Sequence, residues 1–472
     1  MRFIIVYILI ILSSITARAQ DNQERKTYQF NLQESLEYAY RNNDSLKNAQ
    51  LDIESAKYKV RETVGIGLPQ VSGSATFQDY MKVPKIPFPS SEYGLQNYLF
   101  ENRVQLRDKS TNAVVDAPAP TADQFTLFGF QQKYNANYAL NVNQLLFNGT
   151  YLVGLKASKT FKELSEKNYT RSKISTTVAV TKAYYQVLVS NEQLRLLDAN
   201  LKQLSQQLKE TTELNKQGFV EKIDLDRLRV VYNNLNTTRE NTERLLELST
   251  QLLKFQIGMP VTDELTVKDK IENVSLDINS SIAVDTSAYK NRIEYSLLET
   301  QFRLNQLNLQ RIKSQGLPSL AAFGSTGSSY QSSSFGNLFD LSLPSVYVGV
   351  QLSVPIFSGF QRSNQVKQAR VELQKTNNIL NIAKNGFLLQ QEQARITYQN
   401  SIKSLNNQKA NMDLAREVLR VSRIKYKEGV GSSIEVTQAQ TELETAENNY
   451  IQALYNALVS KVDLDNAYGR IQ

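Results

Sequence analysis

Helix breakers are distributed so unevenly along this chain that whole stretches contain none. The prolines fall at positions 69, 84, 87, 89, 118, 120, 260, 318, 344 and 355. Residues 155–217 contain neither proline nor glycine, nor do 219–257 or 432–468, and 361–428 contain only Gly386. A helix through the first of these runs would reach ~95 Å at 1.5 Å per residue. Helices of that length are not wrapped around one compact core; they belong to coiled coils or tunnels.

The pattern inside the runs agrees. Leu194, Leu197, Leu201, Leu204 and Leu208 step three and four residues apart, a narrow heptad seam. The next run carries Leu228, Val231 and Leu235, then Leu245, Leu248, Leu252 and Phe255. Lys216-Gln217-Gly218 between them is a turn signal, so the chain is expected to double back as an antiparallel helical hairpin. A thin seam with a broad polar remainder suits a wall wetted on both sides.

The second half repeats the first. Asn42 to Pro69 ends in Gly67-Leu68-Pro69, and Asn291 to Pro318 ends in Gly316-Leu317-Pro318. Leu146-Phe147-Asn148-Gly149 matches Ile356-Phe357-Ser358-Gly359. Lys216-Gln217-Gly218-Phe219 with Ile223-Asp224-Leu225 matches Lys427-Glu428-Gly429-Val430 with Ile434-Glu435-Val436. The seam recurs as Leu405, Gln408, Met412, Ala415 and Leu419, and the return run carries Leu443, Ala446, Tyr450, Ala453 and Ala457. Such correspondence, at a nearly constant offset from the strand exits onward, defines two structural repeats, 20–260 and 261–472. Their hairpins are expected over 150–257 and 360–468. The first repeat is longer by about 39 residues, placed within 81–133; its prolines predict a long insertion loop rather than a helix.

Near the breakers the period changes from 3.6 to 2. Val346, Val348, Val350 and Leu352 alternate with Tyr347, Gly349 and Gln351. Tyr138, Leu140 and Val142 alternate with Asn137, Asn141 and Asn143. Val71, Ala75 and Phe77 share a face opposite Gln70, Ser72, Ser74 and Thr76. Strands are expected at about 68–80, 134–147, 318–330 and 345–356, near the ~9–11 residues of a tilted membrane strand. Aromatic residues at their ends, among them Phe77, Tyr134, Tyr330 and Phe357, fit interfacial girdles. An open sheet in lipid would leave edge hydrogen bonds unmade. Membrane strands this few therefore require several copies sharing one barrel.

Composition removes other classes. The chain has no His, Cys or Trp. The usual Zn, Cu and haem ligand sets, and His-dependent nucleophile systems, cannot be assembled. No enzyme activity and no cofactor are expected. The net charge of +8 is interleaved rather than blocked, which argues against nucleic acid. Residues 1–19, with an apolar run at 3–15 and Ala17-Arg18-Ala19, read as a secretory signal peptide.

The order helix, strand, strand, long helix, return helix, given twice, resembles the outer-membrane efflux protein family, the TolC family. Leu32-Gln33-Glu34-Ser35-Leu36 with Asn42-Asn43 is similar to its opening helix. The two Gly-Leu-Pro passages, the two strand exits at Phe147 and Phe357, and the two Lys-x-Gly turns carry the rest. The resemblance implies a mainly α fold with a transmembrane β portion: long helical hairpins forming a trimeric α-barrel, continued by a shared 12-stranded barrel, four strands per chain. It implies a homotrimer in outer-membrane lipid, extending into the periplasm, with a periplasmic adaptor (membrane fusion) protein and an inner-membrane pump. The duct is passive, serving efflux or type I secretion. By position it also implies hairpin tips at Lys216, Gly218, Lys427 and Gly429, and a periplasmic gate involving Glu435, Gln438, Tyr426 and Asp224. Gly431 stands where an arginine tie occurs in some members. Ser432-Ser433-Ile434-Glu435 equally reads as a capping box, so gate and cap both remain open for Glu435. The rival architecture is a soluble periplasmic coiled-coil scaffold or adaptor, which accounts for the helices but not for the alternating segments.

Overall fold

The structure, a computed structural model, describes residues 26–89, 95–117, 125–129, 131–271 and 287–471. The expected signal peptide lies outside the described residues. In chain order the first repeat forms β1 (Thr27–Phe30), α1 (Leu32–Asn42), α2 (Asp44–Ile66) and β2 (Gln70–Asp79). It continues with β3 (Ile86–Pro89), α3 (Leu95–Glu101), β4 (Gln105–Arg107), β5 (Val114–Asp116) and β6 (Phe125–Phe128). Then come β7 (Tyr134–Phe147), α4 (Gly149–Lys216) and α5 (Lys222–Ile257), and β8 (Glu264–Val267) opens the second repeat. The second repeat forms α6 (Ile293–Ser314), β9 (Ser319–Ser332), β10 (Ser342–Ser353), α7 (Gln361–Lys427) and α8 (Ser433–Ala467).

These elements divide between a helical unit (residues through Lys59, Ala157–Gln306 and Gln368–Gln472) and a sheet unit (Val60–Lys156 and Leu307–Lys367).

In the helical unit, the breaker-free runs produce helices of 68 and 67 residues, α4 and α7. Each turns back on a shorter partner. Leu197 and Leu204 of α4 meet Leu228 and Leu235 of α5, with Leu201, Leu208 and Val231 packed alongside. Met412 and Leu419 of α7 meet Val436, Ala439 and Leu443 of α8. The two hairpins also join each other: Val189 of α4 packs on Ile451, Leu454 and Leu458 of α8.

The α5 seam departs from expectation over its second half. Leu245, Leu248, Leu252 and Phe255 are exposed, Phe255 to 75%, whereas Thr242, Ser249, Leu253 and Ile257 are buried. The heptad beginning at Leu228 and Leu235 continues by sevens into Thr242 and Ser249. Their hydroxyls donate to Thr238 O at 2.9 Å and Leu245 O at 2.8 Å, so each enters the seam already hydrogen-bonded. The leucines form a second apolar stripe displaced around the same helix.

One carboxyl lies within this packing. Glu447 is 6% exposed, accepts a hydrogen bond from Asn200 Nδ2 at 2.6 Å and faces Arg416 at 3.5 Å. Burial pushes its carboxyl above the usual range; Asn200 and Arg416 pull the other way without cancelling it. The folded state thus holds this proton more tightly than the unfolded chain. The group's contribution to stability is present below the unfolded pKa and is lost as pH rises through the raised folded value. Glu447→Gln is expected to raise the thermal midpoint at mildly alkaline pH and to leave it unchanged in acid. Melting both proteins across pH checks this; parallel curves for the two would refute it.

In the sheet unit, β10, β9, β7 and β2 form one antiparallel sheet in that order. Proline at 344 falls inside β10, which an edge strand tolerates. Register sorts the two faces. One row aligns Val348, Gly324, Val142 and Val71; the row before it aligns Val346, Thr326, Leu140 and Gly73. The adjacent row on the opposite face aligns Tyr347, Ser325, Asn141 and Ser72. Val71, Leu140, Val142, Val346, Val348, Val350 and Leu352 therefore share one face, and Ser72, Asn141, Ser325 and Gln351 lie on the other. At 10 to 14 residues the strands are long enough to cross a bilayer core when tilted. Both outer strands, β2 and β10, have an unpaired edge within the chain.

The 81–133 insertion is not the plain loop expected from its prolines. β3 pairs with β6, β4 pairs with β5, and α3 lies between them. The prolines sit in or beside β3 and before β6, leaving Leu95–Glu101 free of breakers. Asp108 turns the β4–β5 hairpin by accepting from the Ser110 hydroxyl and backbone N–H at 2.6 and 2.7 Å.

Candidate functional site

The hairpin tips hold the candidate gate residues, and both tips use one backbone device. At the first, Gly218 N–H donates to Asn215 O at 3.0 Å and Phe219 N–H to Leu214 O at 2.9 Å. At the second, Gly429 N–H donates to Tyr426 O at 3.1 Å and Val430 N–H to Lys425 O at 3.0 Å. These are matched Schellman turns, with Gly218 at φ 80° and Gly429 at φ 76°. Glycine is required there because a Cβ is strained in that region. Lys216 and Lys427 end their helices, where the dipole favours a cation; Lys216 also pairs with Glu213 at 2.7 Å.

The tips differ in how the return helix begins. Glu221 precedes α5 without a side-chain cap. Ser432 caps α8, its Oγ accepting from Glu435 N–H at 3.2 Å. The cap is thus made by the Glu435 backbone, and the carboxylate of Glu435 stands exposed in the first turn. Gln438 is exposed one turn on and donates to Glu442 at 3.1 Å.

At the tips, Asp224 of α5 ties the two hairpins together. Its Oδ1 accepts the Ser433 hydroxyl across the hairpins and lies 3.3 Å from Arg227 Nη1. Tyr426 packs on the Met412, Leu419 and Val436 cluster instead. Burial, and then the nearby charge of Asp224, raise its hydroxyl pKa. Among the described residues the inter-hairpin hydrogen bond to Asp224 comes from Ser433 rather than Tyr426. Gly431 also has a physical explanation: a Cβ there would lie 2.9 Å from Tyr426 N and 3.0 Å from Lys425 C, both backbone atoms. This turn has no room for an arginine side chain. Sequence reasoning missed Ser433 as a tie because it read the Ser-Ser pair only as a cap.

One turn from Tyr426, Arg423 Nη2 donates to the buried Gln440 at 2.7 Å, while its Nε lacks a partner among the described residues. Burial lowers the guanidinium pKa. Among the described residues no group of carboxylates could hold a metal ion, and no helix is long and apolar enough to cross a membrane.

A bilayer-length sheet with one apolar and one polar face, and doubled helical hairpins tied at their tips, define an outer-membrane channel subunit. Residues 286–470 match the model of the family described as Outer membrane efflux protein. The chain is 23% identical to Outer membrane protein TolC of Escherichia coli (strain K12) over 395 residues, 77% of this chain and 78% of that protein. It is 21% identical over 299 residues to the Alkaline protease secretion protein AprF of Pseudomonas aeruginosa, covering 63% of this chain and 62% of that one. Its fold matches the crystal structure of CusC with a TM-score of 0.71 at 15% identity, over 94% of each chain. The match to the outer membrane efflux family thus lies in the second half of the chain, and the similarity to TolC extends over most of its length. The family model and the TolC relative both describe outer membrane proteins.

Proposed function

We propose that this chain is one third of a passive exit duct, serving a tripartite efflux or type I secretion system. The observation that carries this reading is the register of the four strands. It gathers the apolar residues on one face and leaves an open edge at each end. Such a sheet is stable in lipid only when copies close it into a barrel. Three chains give the twelve strands of the family's shared barrel, and the helical hairpins supply its tunnel. A soluble scaffold has no use for such a sheet. A periplasmic adaptor and an inner-membrane pump are the partners this reading requires, the pump supplying the energy.

The same reading makes the tips a gate. Ser433 and Asp224 tie the hairpins, and exposed Glu435 would form a threefold acidic ring that concentrates cations and impedes anions. A hydrogen bond to a charged group contributes about 1.5–3 kcal/mol. Removing it in every copy loosens the closed state. Reconstituted Ser433→Ala/Asp224→Ala channels are expected to open more often and carry more current than wild type. Glu435→Gln is expected to weaken block by divalent cations while retaining the Ser432 cap. Wild-type currents from the first variant would remove the tie from the gate, and failure of the wild-type chain to conduct would remove the channel.

A further inference from the structure

Where helix meets strand in the sheet unit, the charge is one-sided. The helical ends of α2, α4, α6 and α7 carry Arg61, Lys156, Arg311, Lys313, Arg362 and Lys367 against the single Glu62. At the other end of the sheet the β9–β10 connection, 333–341, has no lysine or arginine and one acid, Asp340. The β2–β7 connection at that end, 80–133, carries six Lys and Arg against five acids, so what distinguishes the helical boundary is its excess of cations over acids.

Helix electrostatics explains only part of this. Arg311 and Lys313 lie in the last turn of α6, where the dipole favours cations. Arg362 lies in the first turn of α7, where the dipole opposes it, Lys367 lies one turn on, and neither α7 nor α4 has an acid in its first turn. Internal pairing does not explain them either. Arg311 donates to Asn308 Oδ1 at 3.0 Å and Arg362 Nη1 to Gln315 O at 3.4 Å, both neutral acceptors. Lys313 and Lys367 are exposed. Among the described residues none of these four has a carboxylate partner.

We propose that these residues form a basic collar that binds the anionic phospholipid headgroups of the membrane leaflet bordering the helical side of the sheet. At 1.5 Å per helical residue the collar lies within roughly 15 Å of the strand ends. Long side chains bring its charges to the headgroup layer, inside a Debye length of its phosphates. Arg362 is held across its corner, since a Cβ on Gly316 would lie 2.8 Å from its Nη1. The collar rests on the reading that the sheet spans a bilayer, and it fixes the depth at which the sheet rides.

The test uses the full chain in vesicles of phosphatidylcholine, alone or with about one-third phosphatidylglycerol, and spin-labelled versions of both lipids. The motion-restricted fraction is expected to favour phosphatidylglycerol over phosphatidylcholine by roughly fivefold at low salt, fading at high salt. Arg311→Gln/Lys313→Gln/Arg362→Gln/Lys367→Gln is expected to lose this preference while still inserting. The variant that exchanges Arg and Lys at these four positions is expected to keep it. Insertion without lipid preference in wild type, or an unchanged preference in the Gln variant, overturns the collar alone. A Gln variant whose ion selectivity changes while its lipid preference persists assigns the charges to the duct wall and overturns the collar too. Failure to insert into either vesicle overturns the membrane reading and the collar with it.

Discussion

Replacing Leu204 with proline should abolish the detergent-stable trimer. Leu204 is 1% exposed and sits mid-seam between Leu197 of its own helix and Leu228 and Leu235 of α5. An interior proline removes a helix hydrogen bond and clashes with the preceding turn, at about 3 kcal/mol or more. Loss of the leucine from a packed seam adds about 2–5 kcal/mol. The cost recurs in every copy, in the stretch where α4 packs on α5 through Leu197, Leu201, Leu204 and Leu208. Electrophoresis of unheated samples measures the outcome. Leu204→Ala is the graded control, losing the packing contribution only, and should lower the unfolding temperature while leaving trimers. A normal trimer yield from Leu204→Pro would mean that the α4–α5 seam does not support the tunnel.

The second large effect concerns the sheet. Val348 is 85% exposed in the single chain and lies at the middle of β10 on the apolar face. If lipid covers that face, Val348→Arg places a guanidinium near the bilayer midplane at about 2–4 kcal/mol per copy. Little or no assembled channel should reach the outer membrane. Ser325→Arg supplies the contrast, because it stands in the adjacent row on the polar face. It should assemble and alter conduction instead. Quantifying trimer in outer-membrane fractions separates the two. Equal yields from both variants would show that the faces are not lipid and lumen.

How far the sequence disclosed this architecture depends on the length over which each signal repeats. The hairpins were legible because breakers are missing for dozens of residues and the α4 seam keeps its leucines. The strands were legible because alternation survives in β2, β7 and β10, and because two halves of one chain repeat the same turns. Legibility fails where a slot is filled by a residue of unexpected type. Thr242 and Ser249 occupy seam positions since each satisfies its hydroxyl on its own helix. A search for leucines therefore selects the stripe beside the seam. The insertion failed for a related reason: strands of three and four residues are too short to show a period. At the tips, the resemblance to the efflux family singles out Asp224, Tyr426 and Glu435 by position. Which partner Asp224 takes depends on side-chain geometry between two helices distant in sequence, and on the absence of space at Gly431.

The unpaired edges of β2 and β10 have a genetic consequence. In the proposed trimer no subunit completes its own wall, so a defective copy is built into a cylinder with sound ones and cannot fail privately. In a cell making equal amounts of normal and defective chain, random mixing in threes leaves only about one assembly in eight wholly normal. A damaged allele that still pairs its edges should therefore act as a poison, whereas one that cannot pair should be silent.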